Sequence, residues 1–164
     1  MLPLRIQDLT ALVLFALLLA VPSAAPAQAP QPIQYSHKIH VTDNKIDCQF
    51  CHSSARRSKY AGIPSVEKCM ICHRVIAYDR PEVMKIAQYW SDGKPIPWNR
   101  VTEFPDHSYF PHYRMVNAGV PCLECHPGMD KAGVAVQNRE FTMGFCMACH
   151  RKRGVSIDCW TCHY

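Results

Sequence analysis

The sequence predicts a mainly α-helical fold with extensive loops and little or no β-sheet. Two observations support this prediction. All ten cysteines of the 164-residue chain fall into five C-x-x-C-H units, and only 27 residues per unit remain once an N-terminal leader, residues 1–29, is set aside. So little chain cannot build a conventional hydrophobic core around each unit. We therefore expect short helices at the units, long connections between them, and packing that depends on bound cofactors.

The C-x-x-C-H unit is the attachment signal for c-type haem. Its cysteines form thioethers to the porphyrin, and its histidine becomes the proximal ligand of the iron. A disulfide framework gives no reason for a histidine after every pair, and zinc sites combine pairs in twos, which five pairs do not allow. The sequence therefore predicts a haem-packed multihaem cytochrome c with five covalently attached haem c groups. The attaching cysteines are Cys48, Cys51, Cys69, Cys72, Cys122, Cys125, Cys146, Cys149, Cys159 and Cys162. The proximal ligands are His52, His73, His126, His150 and His163.

The remaining histidines are candidates for the opposite, distal face of each iron. There are four of them, one fewer than the haems: His37, His40, His107 and His112. An internal repeat suggests the fifth distal ligand. HKIHVTDNKIDCQFCH, residues 37–52, aligns with HYRMVNAGVPCLECH, residues 112–126, and places Met115 opposite His40. Methionine is a common sixth ligand in c-type cytochromes and raises the reduction potential.

Two alternatives to Met115 stay open. Met143 lies three residues before Cys146, but its counterpart in the first repeat is Val66, which cannot ligate iron. The other alternative is a haem with one open or water-bound face.

The first 29 residues have the pattern of an export signal. Arg5 precedes an apolar run, small residues follow, and Ala27-Gln28-Ala29 fits the A-x-A cleavage pattern. The apolar run is short for a membrane span, which needs about 20 residues. A retained N-terminal membrane anchor is the alternative to a cleaved signal peptide. Both place the remaining chain on the periplasmic side of the cytoplasmic membrane, where haem c is attached.

The rest of the chain divides around the units. Residues 30–36 are predicted as a linker, 37–79 as a two-haem module, 80–106 as a helix followed by a Pro-rich connector, and 107–164 as a three-haem module. In the connector, Asp79 is the expected N-cap of a helix whose apolar positions recur at helical spacing up to Trp90. Gly93 is expected to end that helix.

The net charge of +5 does not indicate nucleic-acid binding. Five haems bring propionates of opposite charge, so the basic excess is better explained by pairing with propionates. The candidates near the units are Arg56, Arg57, Arg114, Arg151, Lys152 and Arg153.

Two stretches carry a family resemblance. The H-x-x-H before the first unit resembles the class III, cytochrome c3-like multihaem cytochromes. PIPWNRVTEFPDHSYFPHYRMVNAGVPCLECH, residues 95–126, with FTMGFCMACHR at 141–151, resembles the pentahaem cytochrome c subunit of alternative complex III, a membrane quinol oxidoreductase. The chain departs from that family at Thr102, where a histidine is frequent, and at Met115, where histidine is usual.

The resemblance implies an electron-transfer subunit that is not an enzyme on its own. Its expected partners are a membrane quinol-oxidising complex with an iron–sulfur subunit, and a downstream cytochrome c or oxidase as the electron acceptor. A free periplasmic electron shuttle is the alternative. A multihaem reductase is a further possibility, and it would require one iron with an exchangeable face.

Overall fold

The computed structural model describes residues 30–102 and 104–163; the predicted leader lies outside the described residues. Six α-helices occur in this part: α1 (Cys48–Cys51), α2 (Val66–His73), α3 (Pro81–Ser91), α4 (His112–Asn117), α5 (Cys122–Cys125) and α6 (Met143–Arg153). A π-helical turn, Ile39–Asp43, and two 3₁₀ turns, Met129–Lys131 and Cys159–Thr161, complete the regular structure. The described ranges contain no β-strand, so the predicted mainly helical, loop-rich fold class is confirmed.

The attachment units use two kinds of local structure. The first, third and fifth units are single turns in which the histidine N–H donates to the carbonyl of the first cysteine, at 2.9 Å in each case. The second and fourth units lie instead at or near the ends of longer helices, α2 and α6. For the first four units this alternation follows the internal repeat, because α1 corresponds to α5 and α2 corresponds to α6.

Helix α3 begins one residue later than its predicted cap. Arg80 is the N-cap and makes no side-chain cap hydrogen bond, so Asp79 does not have the predicted role. Pro81 explains the difference, because its fixed φ favours the first helical position and so places the cap at the residue immediately before it. The helix extends to Ser91, and Gly93 follows it with φ +63°.

The hydrophobic core is small and lies in the first part of the chain. Seven hydrophobic side chains are buried: Ile33, Ala55, Val66, Met70, Val83, Ile86 and Ile96. They come mainly from α2, α3 and the segments on either side. After residue 96, Pro111 is the one apolar side chain that is buried in the described chain. The part that contains the last three units therefore has no apolar core of its own.

Residues 30–36 are held against this core. Ile33 is the most deeply buried side chain, at 1% exposed. The Gln31 side chain and Asn99 exchange two hydrogen bonds, of 2.7 and 3.1 Å. The Gln34 N–H donates to the Glu82 carboxylate on α3 at 2.6 Å. We call residues 30–36 the strap, because these contacts hold it across the α2–α3 pair.

The two halves of the chain are interlocked. In one contact, the backbone N–H groups of His112 and Tyr113 donate to the carbonyls of Lys59 and Ser58, at 3.0 and 3.2 Å. In the other, the segment around the π-helical turn meets residues 129–133, where the Thr42 hydroxyl donates to the Asp130 carbonyl at 2.6 Å. The described helices are too short or too polar for any of them to cross a bilayer.

Candidate haem centres

Three pairs of histidines face each other across similar distances. The ring centres are 5.9 Å apart for His40 and His73, 5.8 Å for His107 and His163, and 6.4 Å for His112 and His126. Two metal–imidazole bonds of about 2 Å in line would place the ring centres roughly 6 Å apart. Each pair combines one predicted distal and one predicted proximal ligand. The spacing therefore fits one iron between each pair.

The Nδ1 atoms of most histidines are held by backbone carbonyls. Six of the nine imidazoles make this contact, at distances from 2.6 to 2.9 Å: His40, His52, His73, His112, His150 and His163. A carbonyl only accepts hydrogen bonds, so Nδ1 must carry the proton. The Nε2 atom then keeps its lone pair, and it is the nitrogen left to bind a metal.

His37 is available as a ligand for a different reason. Burial, together with the neighbouring His52 and His40, lowers the pKa of His37 to about 4, so the imidazole stays neutral at physiological pH. Its buried Nδ1 has no hydrogen-bond partner. In the internal repeat His37 corresponds to His112, whose ring faces the proximal histidine of the next unit, His126. The same relation in the first repeat pairs His37 with His52.

The fourth unit is the one to which neither a ring contact nor the repeat assigns a second imidazole. Among the described histidines, none faces His150 as the three pairs above face each other. Met115 lies half-buried on α4, three residues after His112. Met143 begins α6 and is 64% exposed. The repeat relates Met115 to His40, whose partner is the proximal histidine of the second unit, and it thereby relates Met115 to His150.

The cysteines show which units are neighbours. Burial raises the pKa of the Cys48 thiol, and a hydrogen bond with Cys122 raises it further, so the first and third units are in contact. The pKa of Cys69 is raised by burial and by the charge of nearby Cys51, which joins the second unit to the first.

The last two units extend the same series. The pKa of the Cys125 thiol is raised by burial, by Glu124, and by the two thiols of the fourth unit. That of Cys146 is raised by burial and by Cys162 of the fifth unit. These interactions place neighbouring units close together in the order second, first, third, fourth, fifth.

An ion pair joins the third and fourth units. Arg153, in the last turn of α6, donates to the Glu124 carboxylate at 2.7 Å. The other carboxylate oxygen lies 3.6 Å from the Cys149 sulfur. Glu124 is one of the two residues between the cysteines of the third unit, so this contact links one attachment unit directly to the next.

Two further buried polar atoms lack partners: the indole Nε1 of Trp98 and the guanidinium Nε of Arg139. Arg139 lies 4.7 Å from the ring centre of Phe145 on α6, and its charge acts on Cys125. An unpaired buried donor beside an attachment unit fits a propionate, which could accept its hydrogen bond. The sequence analysis did not single out Arg139, although it lies seven residues before Cys146.

The donor set does not fit the alternative metal chemistry. Within residues 30–102 and 104–163, no three or more His, Cys, Asp or Glu side chains converge on a point that could hold a single ion. All ten cysteines are free thiols, available for attachment. The paired imidazoles, the fixed tautomers and the orphaned donors together fit haem.

Sequence comparison supports the same class of protein. The chain is 36% identical over 108 residues to a protein of Nitratidesulfovibrio vulgaris described as the multiheme cytochrome c subunit of menaquinone reductase. The match covers 65% of this chain and 50% of the relative, so the chain spans about half the relative's length. No protein-family profile matches. The similarity supports a multihaem cytochrome c family, without distinguishing among complexes that contain such subunits.

Proposed function

We propose that the chain is a pentahaem c-type cytochrome that transfers electrons as a subunit of a membrane quinol:acceptor oxidoreductase. The observation that supports this best is the set of facing imidazoles at 5.8 to 6.4 Å, each pairing an attachment-unit histidine with a histidine outside the units. An exchangeable position at an iron needs one free face, whereas these pairs provide ligands on both faces. Such sites suit electron transfer better than substrate binding.

The proposed ligand set follows from the pairs and the repeat. His37, His40, His112, Met115 and His107 would be the distal ligands of the first to fifth haems, opposite His52, His73, His126, His150 and His163 respectively. The ten cysteines of the units would form the thioethers. Bound haem supplies one-electron redox chemistry. The chain's own residues hold the ligand nitrogens in one tautomer, provide the attachment thiols and keep neighbouring units in contact.

The order of the units suggests a single path for electrons. The interactions described above place the second unit near the first, the first near the third, the third near the fourth and the fourth near the fifth. The second and fifth units are therefore the two ends of the series. We propose that they are the points where electrons enter and leave, and that no side chain performs bond chemistry on the way.

The proposed setting is the periplasmic side of the cytoplasmic membrane. The relative's name refers to menaquinone reductase, and the motifs quoted above resemble alternative complex III; both are quinone-linked complexes. The proposed partners are a quinol-oxidising membrane complex with an iron–sulfur subunit, and a cytochrome c or oxidase that accepts the electrons. The two-haem and three-haem modules, residues 37–79 and 107–164, would act as one unit because they are interlocked by backbone hydrogen bonds.

The proposal is tested in two steps. The haem-to-protein ratio of the exported chain, measured by the pyridine haemochrome assay, should be five. Membranes solubilised in mild detergent should then show a covalent-haem stain in a large complex on a native gel, with the periplasmic fraction run beside it. A ratio below five would contradict the cofactor assignment, and a band of the free chain in the periplasm alone would favour the soluble shuttle.

A further inference from the structure

The aromatic residue two positions before the H-x-x-H motif touches both of its histidines. The ring of Tyr35 stacks on His40, with the ring centres 4.4 Å apart and the planes 24° apart. The same ring meets His37 edge-on, at 4.9 Å and 88°. One side chain therefore contacts the proposed distal ligands of two different units.

The other end of Tyr35 reaches the attachment cysteines. Its hydroxyl is hydrogen-bonded to the Cys51 thiol of the first unit, and it lies within electrostatic range of Cys69 of the second. Burial raises the pKa of this phenol above its ordinary value, and both thiols raise it further, so Tyr35 stays neutral. Its influence on the neighbouring units is thus one of position rather than charge.

The backbone around Tyr35 is fixed from both sides. Toward the N-terminus the preceding residues of the strap anchor it, through the buried Ile33 and the hydrogen bond from Gln34 to Glu82. Toward the C-terminus the Ser36 carbonyl accepts a hydrogen bond from His40 Nδ1 at 2.8 Å. The hydrogen bond to the Ser36 carbonyl sets the tautomer of His40, and the stacked Tyr35 ring restricts rotation of the imidazole. Groups that support a metal ligand in this way commonly determine its orientation.

The orientation of His40 differs from that of the other paired ligands. Its ring plane is 69° from the plane of His73, whereas the planes differ by 4° for His112 and His126 and by 15° for His107 and His163. The relative orientation of two axial imidazoles affects the electronic structure of a low-spin ferric haem. The second site is therefore distinguishable from the third and fifth by spectroscopy.

We propose that Tyr35 is a positioning residue of the second haem site, whose stacked ring holds His40 nearly perpendicular to His73. The proposal rests on the proposed function, since it requires haem between these two histidines. The ring has this role, whereas the hydroxyl only contacts the first unit.

Electron paramagnetic resonance of the fully oxidised protein tests this inference. The wild-type spectrum should contain a highly anisotropic low-spin signal, the kind that perpendicular axial imidazoles give. Tyr35→Phe keeps the ring and should retain that signal. Tyr35→Leu removes the ring and should shift the signal toward the less anisotropic kind that parallel imidazoles give, and should change one reduction potential of the five. Tyr78→Leu removes a tyrosine that is 66% exposed and serves as the control, with no change expected.

The outcomes separate this inference from the proposed function. A haem-to-protein ratio of five with an unchanged signal in Tyr35→Leu would overturn the role of Tyr35 alone. A ratio below five in the wild type would instead contradict the haem assignment. If the leucine variant does not accumulate with five haems, the wild type and Tyr35→Phe still decide. Absence of the anisotropic signal in the wild type would overturn the inference, and so would its loss in Tyr35→Phe.

Discussion

At the scale of single residues, some functional residues are recognised from their spacing in the sequence, and others only from how the folded chain packs. The ten cysteines and five adjoining histidines follow from a covalent pattern that is local in sequence. Tyr35 and Arg139 do not, because their contacts depend on how the strap and the loop before α6 pack. A tyrosine or an arginine has too many ordinary roles for sequence alone to distinguish this one. The repeat was the one non-local signal that the sequence supplied, and it related His40 to Met115.

Replacing Met115 tests the fourth site, to which neither a ring contact nor the repeat assigns a second imidazole. Met115→His should lower one reduction potential and leave four nearly unchanged, because methionine ligation raises the potential relative to histidine. Axial ligands shift haem potentials over a range of about 0.8 V, so a change on the order of 0.1 V is expected. A spectroelectrochemical titration of the oxidised and reduced protein measures it, and the sulfur-to-iron charge-transfer band of the oxidised protein should disappear.

Met143→Leu is the matched control for this replacement. Its side chain is 64% exposed at the start of α6, and the substitution should leave both the potentials and the charge-transfer band as they were. Loss of the band in Met143→Leu, with its retention in Met115→His, would assign the ligand to Met143. A uniform shift of all five potentials would contradict a single methionine site.

At the scale of elements, the sequence predicted helix α3 but not its first residue. The helical spacing of the apolar positions was sufficient to identify the helix, and two of them, Val83 and Ile86, are buried. Asp79 is not the cap because Pro81 occupies the first helical position, which makes the preceding residue, Arg80, the cap. The single-turn helices α1 and α5 have no periodicity to detect. They were predicted only because attachment units need a turn that brings two cysteines and a histidine together.

The end of α6 depends on a left-handed residue, and this can be tested. Gly154 has φ +64°, and its N–H donates to the Arg151 and His150 carbonyls. The turn lets the Ser156 carbonyl accept from His150 Nδ1 at 2.7 Å. Gly154→Ala should lower the free energy of unfolding by about 1–2 kcal/mol, the cost of a left-handed conformation for a residue with a Cβ atom. Denaturant unfolding of the holoprotein, followed by far-ultraviolet circular dichroism, measures the change.

Gly133→Ala provides the comparison for this variant. Gly133 has no left-handed φ, and a Cβ atom built there meets nothing within 4 Å. Its substitution should change the unfolding free energy by less than about 0.5 kcal/mol. Equal destabilisation by the two alanines would show that the left-handed turn after α6 is not the cause.

At the scale of the whole molecule, the packing is unequal between the two halves. The seven buried hydrophobic side chains all lie between residues 33 and 96, while sixteen large hydrophobic side chains are exposed across the described chain. Ordering each residue costs on the order of 1–2 kcal/mol of backbone entropy, and apolar burial must offset it. A cluster of this size does not do so for the whole chain. The porphyrins are therefore expected to supply most of the missing apolar surface.

Without haem, the two halves of the chain should differ in their remaining stability. A chain expressed without export, and hence without attachment, should show no cooperative unfolding transition and only weak near-ultraviolet circular dichroism. Hydrogen exchange followed by mass spectrometry should find residual protection, where any exists, in α2 and α3, because these helices contribute most of the buried side chains. Residues 107–163 should exchange as an unfolded chain, since Pro111 is their one buried apolar side chain. The exported holoprotein is the control, with protection expected in both halves, and a cooperative transition in the haem-free chain would contradict the dependence of this fold on haem.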